Sequence, residues 1–110
     1  MFVQLQGCHG LQIDAAFDAG DFPILIGRSD EADVFIADHW VSRRHCQLMY
    51  VAGELLVVDL ASRHGTYLNE QKVDEAFLRD GDELNIGLTS LRVLITQPYS
   101  TGRFELAGVC

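Results

Sequence analysis

An all-β fold, a sandwich or barrel of antiparallel strands, is predicted by three observations. Apolar residues fall in short runs rather than in helical stripes: Ile24-Leu25-Ile26, Val34-Phe35-Ile36, Leu55-Leu56-Val57-Val58 and Leu91-Arg92-Val93-Leu94-Ile95. The runs are rich in β-branched residues, which suit a pleated, half-buried surface. Each is bounded by Gly, Asp, Ser or Asn, with turn signals about every ten residues. The chain has 110 residues and 48% hydrophobic content, enough for a single core. One domain over residues 1–97 is therefore predicted, with residues 98–110 as a C-terminal tail.

Taken in order, Met1-Phe2-Val3-Gln4-Leu5 lacks the basic start and long apolar middle of a secretory signal. No stretch reaches the ~20 apolar residues of a membrane-spanning helix, so a cytoplasmic protein is expected. Asp14 to Asp18 is a candidate helical turn, but Gly20 and Pro23 close it early and a loop is predicted there. Phe22 to Ser29 reads as a strand running into a loop, and Asp33 to Ile36 as the next strand. Val41 to His45 is a loop tip. From Cys46 to Tyr50, Cys46, Leu48 and Tyr50 share one parity and Gln47 and Met49 the other, as on a strand. Leu55 to Val58 is apolar throughout, which predicts a strand near the middle of the core. Asp59 to Asn69 leaves that strand, turns at Gly65, where a positive φ is available, and becomes extended again. Thr96 to Gly102 is a turn-rich exit, and Arg103 to Val109 is either an edge strand or a mobile end.

Charge separates the partner classes. A formal net charge of −8 opposes binding to nucleic acid or to an anionic membrane. Yet Arg28, Arg43, Arg44 and Arg63 all lie in three polar islands between strands: Gly27-Arg28, Ser42-Arg43-Arg44-His45, and Ser62-Arg63-His64-Gly65-Thr66-Tyr67-Leu68-Asn69. Beyond a Debye length of about 8 Å the acidic remainder is largely screened, so an anion can bind locally. Guanidinium forks match phosphate two bonds at a time, and a serine hydroxyl adds one short donor.

Other chemistries fit less well. Cys8, Cys46 and Cys110 are odd in number and contain no Cys-x-x-Cys pair, so reduced thiols are expected. His39, His45, Cys46 and His64 match no standard zinc spacing, and no metal or other cofactor is expected. Ser42 or Ser62 as nucleophile, His45 or His64 as base and Asp59 as orienter would make a hydrolase, but no nucleophile elbow is present and no catalysis is expected.

The order and spacing of the three islands, together with the closing segment Gly81-Asp82-Glu83-Leu84-Asn85-Ile86-Gly87, resemble the forkhead-associated (FHA) family from Ile24 to Ile95. The resemblance implies a sandwich of twisted sheets with recognition loops at one end, serving as a signalling or adaptor module that binds phosphothreonine peptides. The implied partner is a protein phosphorylated by a Ser/Thr kinase. Carried onto this chain, the resemblance implies Arg28, Ser42 and Arg43 on the phosphate, and Arg63, His64 and Asn69 on or supporting the peptide-binding loop. Gly27, His45 and Gly65 are implied to be structural, with His45 bracing neighbouring loops. Trp40 is a further candidate for peptide contact. Two departures stand out: His64 replaces the family's usual Asn, and Glu70 replaces a frequent Gly. The alternative reading on the same fold is a phosphate-independent interaction module with weak self-association. Ser100 and Thr101 are candidate modification sites for head-to-tail capture by another copy.

Overall fold

The computed structural model describes residues 1–97. Within them the chain forms two packed sheets. The first contains β1 (Phe2–Gly7), β2 (Asp14–Asp18), β7 (Thr66–Leu68), β8 (Gln71–Val73), β10 (Glu83–Ile86) and β11 (Thr89–Thr96), in the order β2-β1-β11-β10-β7-β8. The second contains β3 (Ile24–Gly27), β4 (Val34–Phe35), β5 (Cys46–Val51), β6 (Glu54–Asp59) and β9 (Glu75–Leu78), in the order β4-β3-β5-β6-β9. The sandwich follows from alternation. Val3 and Leu5 of β1, Leu84 and Ile86 of β10, and Leu91 and Val93 of β11 are fully buried and face Ile24, Ile26, Leu48, Leu55 and Val57 of the other sheet. Each strand thus sends every second side chain into one shared core.

Three details differ from the sequence expectation. Asp14 to Asp18 is a strand, not a loop. It pairs antiparallel with β1 from Phe2↔Asp18 to Gln6↔Asp14, and its half-buried Ala15 and Phe17 alternate with exposed Asp14, Ala16 and Asp18. The breakers Gly20 and Pro23 act one step later, where a short 3₁₀ turn at Ala19–Asp21 ends the hairpin arm. Pairing is otherwise antiparallel, but β3 and β4 are parallel, with Ile26↔Val34 and Gly27↔Phe35 in register. The loop between them doubles back beside β3, pinned by Asp33, whose carboxylate accepts from Leu25 N and whose N donates to Leu25 O. Finally, β6 lies between β5 and β9, and only Leu55 and Val57 enter the core while Leu56 and Val58 are half-buried on the outer face. The expected edge strand or mobile end at Arg103–Val109 lies outside the described residues.

Hairpin turns fix the register. β5 and β6 join through Ala52-Gly53 (φ 51° and 81°), and β7 and β8 through Asn69-Glu70 (φ 48° and 72°). Two consecutive positive φ values are those of the tight two-residue hairpin whose twist matches its strands. Loops β3–β4, β4–β5 and β6–β7 gather at one end of the sandwich, where the three polar islands meet.

Candidate functional site

The site begins with a close approach of backbones. A Cβ on Gly27 would lie 2.0 Å from Arg43 O and 3.0 Å from Ser42 O. Glycine at the end of β3 therefore lets the β4–β5 loop lie against the strand. Backbone bonds hold that contact: Arg28 N donates to Ser42 O at 3.1 Å, and His45 N to Ile26 O at 3.0 Å. Arg28 Nε donates to Val41 O at 3.0 Å, which restrains the guanidinium plane of a side chain that lines the cleft.

His45 is fully buried and ties two loops together. Its Nδ1 accepts from Ser42 N at 3.0 Å, so Nε2 carries the proton and donates to Gly65 O at 2.8 Å. Both ring nitrogens are thus committed to backbone, and neither is open to serve a nucleophile or a metal. Ser42 Oγ accepts from Arg63 N at 2.9 Å, which joins the second island to the third and leaves the hydroxyl proton to donate elsewhere. Gly65, at φ 87°, closes the β6–β7 loop with its N bonded to Ser62 Oγ.

Asp59 organises the start of that loop. It accepts from Ser62 N, from the Ser62 hydroxyl and from Thr66 Oγ1. Burial raises its pKa, but these three bonds and the nearby His45 outweigh it, so the carboxyl sits below its ordinary 3.8. Asp38 does the same for the β4–β5 loop, a role that sequence reasoning missed. Burial again pushes its carboxyl up, while Trp40 N, Thr89 Oγ1, Leu88 N and His39 hold it net below 3.8. Cys46 is pushed up to about 12 by burial and by the charge of Asp59, offset in part by the Thr66 hydroxyl, so its thiol stays protonated.

The lowered carboxyls set a pH dependence. An acid whose folded pKa is depressed stabilises the fold above its unfolded pKa, and that stability is lost as pH falls through the folded value. Urea unfolding midpoints should be flat near neutrality and drop below about pH 4. Asp59→Asn is expected to cost about 1–2 kcal/mol at neutral pH and to flatten the acid limb. Parallel acid limbs for variant and wild type would show that Asp59 does not carry the effect.

Around this frame the islands enclose a cleft of about 430 Å³, lined by Arg28, His39, Trp40, Val41, Ser42, Arg43, Arg63 and His64. Among the described residues no carboxylate lines it. Arg28, Arg43 and Arg63 make no ion pair among the described residues. Arg44 is exposed but outside the lining. Trp40 stands edge-to-face with His64, ring centres 5.0 Å apart, and is flanked by His39 at 6.4 Å. The structure therefore brings five of the six sequence-predicted binding residues together and leaves Asn69 apart. Asn69 Oδ1 accepts from Glu83 N and its Nδ2 donates to Asp82, so it fastens the β7–β8 turn to the start of β10 beside Glu70 and Arg92. His39, considered in the sequence only as a metal ligand, lines the cleft.

A β-sandwich whose loops at one end converge cations, a hydroxyl and aromatic rings is a loop-borne recognition domain. The chain belongs to the FHA domain family, whose model matches residues 24–87. It is 46% identical over 74 residues to the glycogen accumulation regulator GarA of Mycolicibacterium smegmatis, covering 67% of this chain and 46% of that protein. The chain thus matches about half the length of that relative. A solved FHA domain studied for phosphothreonine-dependent interactions superposes with a TM-score of 0.81 at 30% identity, covering 88% of this chain and 99% of the other. The FhaA FHA domain, solved in complex with the intracellular domain of Rv3910, gives 0.73 at 32% identity, covering 83% and 98%.

Proposed function

We propose that this domain is a non-catalytic cytoplasmic module that binds phosphothreonine in an extended segment of a partner phosphorylated by a Ser/Thr kinase. The observation that carries the reading is the convergence, among the described residues, of three guanidinium groups free of ion pairs, with the Ser42 hydroxyl, on a cleft that no carboxylate lines. Such a cavity disfavours an uncharged side chain, because the arginines would lose water for nothing. It favours a phosphate, which brings about −1.5 to −2 of charge and three acceptor oxygens. Arg28, Ser42 and Arg43 take the phosphate, Arg63 and His64 take the flanking backbone, and Asn69 acts only through the frame. FHA relatives studied for phosphothreonine-dependent interactions or solved with a protein partner support the same reading. The commitment of His45 to two backbone groups supports a binding rather than a catalytic site.

Two or three charge-assisted bonds, set against the entropy of association, correspond to a Kd in roughly the micromolar range. The test is calorimetric titration with an oriented phosphothreonine library and its unphosphorylated and phosphoserine counterparts. Phosphothreonine peptides should bind at least ~30-fold more tightly than unphosphorylated ones, and binding should weaken with added salt. Equal binding of phosphorylated and unphosphorylated peptides, or phosphate-independent self-association, would refute the reading.

A further inference from the structure

Three histidines lie at the recognition end, and they differ in what their rings are free to do. His45 is fully buried with both nitrogens bonded to backbone. His39 and His64 are exposed and line the arginine cleft. The imidazole of His64 makes no hydrogen bond among the described residues, and its contact is with the Trp40 ring at 5.0 Å. Both of its nitrogens are therefore open to a ligand. An imidazole changes its charge between pH 5 and 8, whereas the amide of the Asn usual at this place in the family is neutral throughout.

The groups around His64 set the sign of its coupling to a ligand. Arg63 lines the cleft from the same loop, Arg28 from the end of β3, and Arg43, His39 and Trp40 from the β4–β5 loop. Arg44 is outside the lining. The carboxylates behind these loops are engaged elsewhere, Asp59 by Ser62 and Thr66, and Asp38 by Trp40 N, Leu88 N and Thr89 Oγ1. The negative charge that an imidazolium here meets at close range is thus the ligand's own phosphate, which favours the charged ring. The indole, within about 6 Å, adds cation–π attraction. We propose that His64 engages the phosphothreonine ligand as an imidazolium, so that the domain takes up a proton as it binds and holds its ligand more tightly as pH falls from 8 to 6. The inference rests on the phosphothreonine reading and adds a control by pH to the same site. Linkage makes the effect reciprocal: a ligand that binds the protonated ring better also makes the ring bind its proton better. The phosphate opposes this, because its second ionisation lies near pH 6 and guanidinium groups prefer the dianion. That opposing effect is common to every variant that keeps the arginines, so a ratio of affinities cancels it.

The test is calorimetric titration of a tryptophan-free phosphothreonine peptide and its unphosphorylated twin at pH 6, 7 and 8, in two buffers of different ionisation enthalpy. Wild type, His64→Asn, His64→Gln and His39→Gln are compared. The affinity of wild type relative to His64→Asn should rise at least ~5-fold from pH 8 to pH 6. At pH 7 wild type should take up at least ~0.3 proton per peptide more than either His64 variant, and His39→Gln should match wild type. Trp40 is the chain's single tryptophan, and a protonated imidazole in ring contact quenches indole emission. Its emission in wild type should follow pH with a midpoint that saturating phosphopeptide moves up by about one unit, and this reading decides if the His64 variants do not bind. His64 is exposed, so its variants should melt close to wild type. An affinity ratio that does not change with pH, a midpoint that phosphopeptide leaves in place, or a proton count abolished by His39→Gln overturns the role of His64 and leaves the phosphothreonine reading standing. Wild-type binding indifferent to phosphorylation at every pH overturns that reading and this inference with it.

Discussion

Replacing Arg28 by alanine is expected to weaken phosphothreonine-peptide binding by at least ~30-fold, while the melting temperature stays within a few degrees of wild type. Arg28 is exposed, and its structural contribution is one bond from Nε to Val41 O, so little of the fold depends on it. Its terminal nitrogens are a different matter. The Nε bond sets the plane of the guanidinium before any ligand arrives, so two parallel N–H donors meet phosphate oxygens with little further loss of side-chain freedom. Lysine keeps the charge but not the fork, so Arg28→Lys should recover only part of the loss. Calorimetric titration of the three proteins against one phosphopeptide and its unphosphorylated twin decides the matter. Undiminished affinity in Arg28→Ala would remove this residue from the site.

Gly27→Ala is expected to have the largest effect on the fold near the cleft, about 3–5 kcal/mol of destabilisation with loss of phosphopeptide binding. The added methyl would overlap the backbone carbonyl of Arg43, which cannot rotate away as a flexible side chain could. Relief requires the β4–β5 loop to lift off β3, breaking the bonds from Arg28 N to Ser42 O and from His45 N to Ile26 O. Ser42 and Arg28 would then no longer face one another. Gly20→Ala is the control, because no atom lies within 4 Å of its added Cβ and it should shift stability by less than about 1 kcal/mol. Urea unfolding of both variants checks the prediction, and comparable midpoints would contradict it.

In the second sheet β3, β4 and β6 were legible because their apolar runs are continuous and bounded by turn residues, and β5 by its alternation, whereas β9 (Glu75–Leu78) carries no such run. β2 was not, because Asp14-Ala15-Ala16-Phe17-Asp18 has small or acidic residues that say little about extension until β1 is there to pair with it. The parallel pairing of β3 and β4 depends on a doubled-back loop fixed by Asp33, a tertiary fact without local signature. At the site, the clustering of Arg28, Ser42, Arg43, Arg63 and His64 was readable from resemblance to the FHA pattern, since the spacing of those islands reflects loop positions on a common frame. Asn69, which the resemblance places on or supporting the peptide-binding loop, lies outside the cleft because β7 carries it away to Glu83. Asp38 escaped notice because nothing local distinguishes a loop aspartate that bonds outward from one that binds the backbone of Leu88, fifty positions along the chain.

The register of β11 has a consequence for how the domain works on a tether. Thr89 begins that strand bonded to Asp38 of the β4–β5 loop, and Thr96 ends it paired with Phe2. Seven steps along a strand carry the chain about 24 Å from the recognition end. A linker attached at Gln97 for immobilisation therefore leaves the cleft unobstructed.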